Sequence, residues 1–146
     1  MGIFDSVKRK TEKPTWKVYL DMIENKKMSV RVDMQYVNKN YKNTFYIQVK
    51  YSDYETDNLP DKNFLDDLAI FEEKVLEIVR KTFDNNVVFL GTATFGGSSY
   101  ITFASDLDIR WRDFINSMVD KNIIAGVYQN DNMGYYNKVL YPDFMR

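Results

Sequence analysis

The chain of 146 residues carries 20 Lys/Arg against 21 Asp/Glu, a net charge of −1, and contains neither histidine nor cysteine. That absence removes the side chain that titrates naturally near neutral pH, the thiol nucleophile, the disulfide and nearly every zinc site. Ser-His-Asp and Cys-His constellations go with them, leaving carboxylate, lysine, arginine and tyrosine for any chemistry.

The length suits one domain with a single sizeable core. Apolar residues at 45% and charged residues at 28% are ordinary for a globular chain, whereas 16% aromatics lean towards sheet. No apolar run approaches the roughly 20 residues that span a bilayer, and no leader resembles a signal peptide, so the cytoplasm is the expected compartment. Charge is uneven, +6 over residues 1–50 and −7 over 51–146. A basic face is therefore conceivable, but an isoelectric point near 5.5 argues against a dedicated DNA binder.

Residues 1–15 read as a flexible lead-in, closed off by Pro14. Gly2 and Ser6 also fit a permissive myristoylation pattern. Residues 16–146 then form one α+β domain. Trp16, Val18, Leu20 and Met22 alternate with Lys17, Tyr19 and Asp21; a turn at Glu24-Asn25-Lys26 leads to a second alternating run, Met28 to Tyr36. A third sets Phe45, Ile47, Val49 and Tyr51 against Tyr46, Gln48 and Lys50. Period two of this regularity predicts antiparallel strands with one dry and one wet face.

From Phe64 the apolar spacing changes to threes and fours through Leu68, Phe71, Val75, Ile78 or Val79, then Thr82, an amphipathic helix stopped by Asp84-Asn85-Asn86. Val87–Phe95 and Ser99–Ala104 follow as a hairpin across Gly96-Gly97. Ser105-Asp106-Leu107-Asp108 resembles a capping box opening a second helix through Leu107, Trp111, Phe114 or Ile115, and Met118, ended by Lys121-Asn122. Ile123–Gln129 is the last strand, and Asp131–Arg146 an aromatic tail expected to fold back over the sheet end. The expected fold is an antiparallel sheet with two helices on one face. Its last six elements make a ferredoxin-like βαββαβ core extended by an N-terminal β-hairpin.

Several patterns invite chemistry. Asp53, Glu55 and Asp57 suggest a calcium loop, but Asn58 and Phe64 stand where its glycine and glutamate belong. Asp66/Asp67, Glu72/Glu73 and Asp106/Asp108 supply carboxylate pairs, most of them on polar helix faces, for a hydrolase alternative. Gly96-Gly97 lacks the helix and Lys-Ser/Thr of a phosphate loop. Gly97, Tyr100, Ile101 and Phe103 partly match an RNA-recognition strand, although Gly96 and Ser98 replace its basic and aromatic members. Arg110-Trp111-Arg112 has the residue types of a binding hot spot, with a core Trp111 flanked by exposed arginines as the plainer reading. The tail offers Tyr135, Tyr136 and Tyr141, each an apolar ring with a hydroxyl, as a lid or a binding groove.

Trp16-x-x-Tyr19, the Lys27–Asp33 strand, the Gly91-Thr92-x-Thr94-x-Gly96 hairpin and Asp131 before Tyr135-Tyr136-x-x-x-Leu140-Tyr141-Pro142 resemble the bacterial family catalogued as domain of unknown function 695. Tyr135 stands near the position of that family's tryptophan. The resemblance implies no activity and no catalytic residues. The expected topology is similar to that of the bacterial protein inhibitor of ribonuclease E, an analogy of fold alone. These readings converge on a non-catalytic interaction or regulatory domain, an immunity-type inhibitor being a special case. No cofactor or metal is expected. The expected partner is another protein, with RNA bound by sheet aromatics and the basic N-terminal third as the alternative; oligomeric state stays open. Candidate binding residues are Arg110, Trp111, Arg112, Asp131, Tyr135, Tyr136 and Tyr141.

Overall fold

The period-two segments fold as strands β1 (Trp16–Ile23), β2 (Lys26–Asp33) and β3 (Asn43–Lys50) in a computed structural model that describes residues 15–23, 25–118 and 123–146. The lead-in up to Pro14 with its acylation pattern, Glu24 of the first turn and the helix stop at Lys121-Asn122 lie outside the described residues. Helix α1 (Lys62–Phe83) starts where the Asp61 carboxylate accepts the Phe64 N–H at 2.9 Å, a side-chain N-cap. Glu77 pairs with Lys81 one turn on, at 3.1 Å. Strands β4 (Val88–Phe95) and β5 (Ser98–Ser105) follow, turned by Gly96 and Gly97 at φ 65° and 97°. A short helix α2 (Trp111–Asn116) and strand β6 (Ile123–Tyr128) complete the regular elements.

All six strands join one sheet in the order β1-β2-β4-β5-β3-β6, each neighbour antiparallel. Because β3 and β4 both run against β5, they are parallel to each other, and α1 carries the chain between them. Phe45, Ile47, Ile101, Phe103 and Ala125 point to the helices and pack with Leu68, Val75 and Val79 of α1 and Trp111 and Ile115 of α2. The Trp111 indole N–H donates to the Tyr46 carbonyl at 3.0 Å, so this large side chain is satisfied as well as buried.

The opposite face is dry over half its width. Met28, Val30, Val32, Leu90, Ala93 and Ala104 meet Met133, Tyr136 and Leu140 of the tail, whose π-helical turn (Tyr136–Leu140) lies against β4 and β2. Three expectations are corrected here. On β1 the buried side chain is Tyr19, while Val18 and Leu20 are 67% and 73% exposed. The tail covers the Tyr19 side of this edge strand, and the helices do not reach across to the other. The second helix is only six residues long, and Leu107 before it is exposed. The Ser105 hydroxyl accepts the Leu107 N–H at 3.0 Å, a local turn rather than a capping box. Finally, Glu72 is buried on the apolar side of α1, paired with Arg31 and accepting the Thr92 hydroxyl at 2.8 Å. A buried carboxylate needs such partners.

Between Phe89 and Gly91 the β4–β5 register shifts, so Phe89 joins the helix-side cluster while Leu90 joins the tail-side one. Gly91 sits at φ 150°, and a Cβ there would lie 2.3 Å from the Arg31 carbonyl oxygen. Gly91→Ala is therefore expected to lower unfolding stability by about 1–3 kcal/mol, read as a fall in the urea midpoint at unchanged m-value; an unshifted midpoint would show that the bulge tolerates a side chain.

Candidate functional site

Where the tail ends its coverage, tyrosines begin. Even-numbered residues of β3 and β5 face away from the helices, and the register sets Tyr46 beside Thr102 and Gly126, and Gln48 beside Tyr100 and Ile124. Tyr46 lies across Gly126 so closely that a Cβ there would fall 2.2 Å from its ring. The Tyr128 ring stacks on Tyr46 at 5.1 Å, Tyr135 stacks on Tyr128 at 6.0 Å, and Tyr100 meets Tyr46 edge-on at 6.4 Å. Tyr128 and Ile124 are exposed and Tyr46, Tyr100 and Tyr135 half-buried. Four phenols thus form one continuous patch of the kind proteins use for docking, with rigid apolar area and hydroxyls at its edge.

The patch is framed by acid more than by base. Its groove towards the β4–β5 turn is lined by Lys50 together with Asp53 and Glu55, and burial, with Tyr46, Tyr100 and Asp131 adding to it, disfavours the Tyr128 phenolate. Of the described basic residues in the N-terminal third, Lys50 alone lines this groove. Lys26 is paired with Glu55, Arg31 with Glu72 and Lys42 with Asp108, and Lys17 donates to the Met145 carbonyl at 3.0 Å.

The residues singled out from sequence fall in different places. Trp111 is core, at 1% exposure. Arg110 and Arg112 are exposed beside it, Arg112 donating to the Ala125 carbonyl at 3.1 Å, and this group lies on the helix side of the sheet, the face opposite the tyrosines. Tyr136 is fully buried, its hydroxyl donating 2.7 Å to the Asp33 carbonyl. Tyr141 is half-buried, edge-on to Tyr136, with the Arg146 guanidinium 5.2 Å over its ring. The Asp131 carboxylate is occupied internally: one oxygen accepts both the Thr44 hydroxyl and the Tyr135 N–H at 2.8 Å, and it leaves no room for a Cβ at Gly134. Of the seven, only Tyr135 belongs to the patch. Tyr46, Tyr100 and Tyr128 complete it, and what links them is strand register, which alternation alone does not supply.

Of the acidic pairs, Glu72, Asp106 and Asp108 are engaged with partners, whereas Asp66, Asp67 and Glu73 are exposed on α1. Lys42 holds the Asp108 carboxyl below the ordinary carboxylate range through hydrogen bonds, with Asn43 adding a second, the opposite of the raised value a general acid needs. Asp106 accepts the Lys42 N–H at 2.9 Å. Among the described residues no cluster of three or more acidic side chains is placed to hold a metal ion, and no helix is long and apolar enough to cross a membrane.

The architecture defines an α+β domain built on one antiparallel sheet, its helix-free face half closed by its own tail. The chain belongs to the family of unknown function DUF695, whose model matches residues 14–141. No curated protein and no solved structure matches it significantly.

Burial raises the phenols that pin the tail: Tyr19 to about 12, with Asp21 adding to the effect, and Tyr136 further still. Burial likewise pushes Tyr36 to about 12. An unfolded tyrosine ionises near pH 10, so the native state holds these protons after the unfolded chain has released them. Stability is then complete below about pH 10 and declines as pH rises towards 12. Denaturant midpoints across that interval are expected to fall steadily; a flat profile would mean that these phenols ionise equally in both states.

Proposed function

We propose that this protein is a non-catalytic docking domain that binds another protein through Tyr46, Tyr100, Tyr128 and Tyr135. The observation that carries the reading is the stacked patch on the half of the sheet that the tail leaves uncovered. Its acidic frame supports a protein partner over a polyanion, which would require cations along its path. The internal use of Asp106, Asp108 and Glu72 supports a binding role over carboxylate hydrolysis. A regulatory or immunity-type inhibitor in a bacterial cytoplasm belongs with this reading, since such proteins need surface complementarity and no reacting group.

The finer fold reading, a ferredoxin-like core from β3 to β6 extended by the β1–β2 hairpin, is supported by the order β4-β5-β3-β6 and by α1 and α2 sharing one apolar cluster. The likeness to the protein inhibitor of ribonuclease E rests on that topology alone and transfers no residue roles. A second reading, RNA binding, draws support from Tyr46 and Tyr100 sitting on neighbouring strands of the helix-free face, where bases stack in RNA-recognition domains.

Affinity capture from the native cell separates these readings. The wild-type chain is expected to retain a protein partner that Tyr100→Ala/Tyr128→Ala holds at least about tenfold more weakly, with the variant's circular dichroism unchanged. Equal retention by the variant, or no retained protein, would sink the docking reading. Retention of RNA that collapses steeply with added salt would replace it with the second.

A further inference from the structure

We infer that β1 is a self-pairing edge along which a second copy of the chain lies antiparallel, about a two-fold axis at Tyr19. This surface is separate from the tyrosine patch, and the inference stands whether or not that patch docks a partner.

The backbone fixes which groups face outward. The Met34 N–H donates to the Thr15 carbonyl at 2.6 Å, one step beyond the Trp16↔Asp33 pair of the β1–β2 ladder. Bonded pairs alternate in an antiparallel ladder, so odd-numbered residues of β1 turn their amides to β2 and even-numbered ones turn theirs away. Among the described residues β1 ends the strand order, and its outward amides belong to Trp16, Val18, Leu20 and Met22, the residues whose apolar side chains are also exposed. The Met22 N–H rests on the Asp21 carboxylate at 2.7 Å, a solvent-side contact that it exchanges for a strand bond on pairing. Eight residues of regular edge, with no proline, no bulge and no charge in the apolar row, lack the devices that keep edges single.

Charge selects the occupant and the register. Outward amides meet outward amides only if a residue, rather than a peptide bond, lies on the axis, and Val18, Tyr19 and Leu20 are the centres that keep most of the strand paired. Centring on Tyr19 places Lys17 opposite Asp21 of the second copy and Asp21 opposite its Lys17. Both fall in non-bonded pairs, where side chains approach most closely. The same register sets Val18 against Leu20 and Trp16 against Met22, so an apolar row meets an apolar row. Centring on Val18 would oppose Lys17 to Tyr19, and centring on Leu20 would oppose it to Ile23; neither matches a charge. Lys17 gives one proton to the Met145 carbonyl, leaving others for a carboxylate. The axis stands perpendicular to the sheet, so both tyrosine patches face the same side, on the order of 40 Å apart from strand spacing.

Sedimentation of the full chain over a concentration series tests this. Wild type is expected to pass from one-chain to two-chain mass. Asp21→Lys and Lys17→Asp each oppose like charges twice and are expected to associate at least about tenfold more weakly. An equimolar mixture of these two variants restores both opposite-charge pairs and with them the two-chain mass. Leu20→Lys, at an exposed position whose backbone amide turns away from β2, should stay folded and single. One-chain mass for wild type throughout, association by Asp21→Lys as strong as wild type, or no recovery in the mixture would overturn the inference.

Discussion

Two phenols exchanged between the tail and the sheet hold the second face of this molecule in place. Tyr136 reaches from the tail to give its hydroxyl proton to the Asp33 carbonyl at 2.7 Å, and Tyr19 reaches from β1 to give its own to the Leu140 carbonyl at 2.8 Å. Each lies out of water, where an unpartnered hydroxyl costs about 1–3 kcal/mol. The tail consequently has one low-energy position, and that position decides which sheet residues are dry. The i+5 bond from the Tyr141 N–H to the Tyr136 carbonyl, 2.8 Å, widens the tail's turn so that Tyr136 and Leu140 both point inward.

A sheet dry on the helix side except at β1, and on the other side in part, explains the unusual demands on β4. Phe89 serves the helices and Leu90, the next residue, serves the tail; the register shift there lets two consecutive large side chains be buried on opposite faces without breaking the ladder. The Arg31–Glu72 pair ties α1 to β2 at the same latitude, with the guanidinium lying 5.1 Å over the Trp16 ring. At the other end, Asn43 donates to the Leu107 carbonyl and accepts the Asn130 N–H, joining the start of the tail to the loop before α2. Main-chain strain at Met133, φ 66°, is tolerated because its side chain is buried between these fixed points.

The sequence made strands, the long helix and the glycine hairpin legible because each depends on local periodicity or on a turn residue. Faces were less legible. Alternation in β1 points to Trp16, Val18, Leu20 and Met22 as the buried row, since they are the more apolar set, yet burial depends on what lies above a strand. The side carrying Tyr19 lies under the tail, whereas on the other side Trp16 meets Phe89 and Arg31 and the rest of the row is open. Glu72 misleads for the converse reason: a carboxylate on a helix reads as solvated until Arg31 and Thr92 arrive from two other strands. The Asp131 and Tyr136 positions stand out in sequence and prove to organise the tail, whereas Tyr46 sits unremarked in an alternating strand and becomes the centre of the patch. Long-range register, set by β3 pairing with both β5 and β6, is what gathers Tyr46, Tyr100 and Tyr128.

Docking through the open half-face follows from that partition and fails without it. Relaxation of tyrosine ring protons by a soluble paramagnetic agent reads the partition directly, ring by ring, in the intact chain. Tyr128 and Tyr100 should relax strongly while Tyr136 stays unaffected. Relaxation of Tyr136 equal to that of Tyr128 would mean that the tail does not close its half of the sheet, and the division on which the functional reading rests would be contradicted.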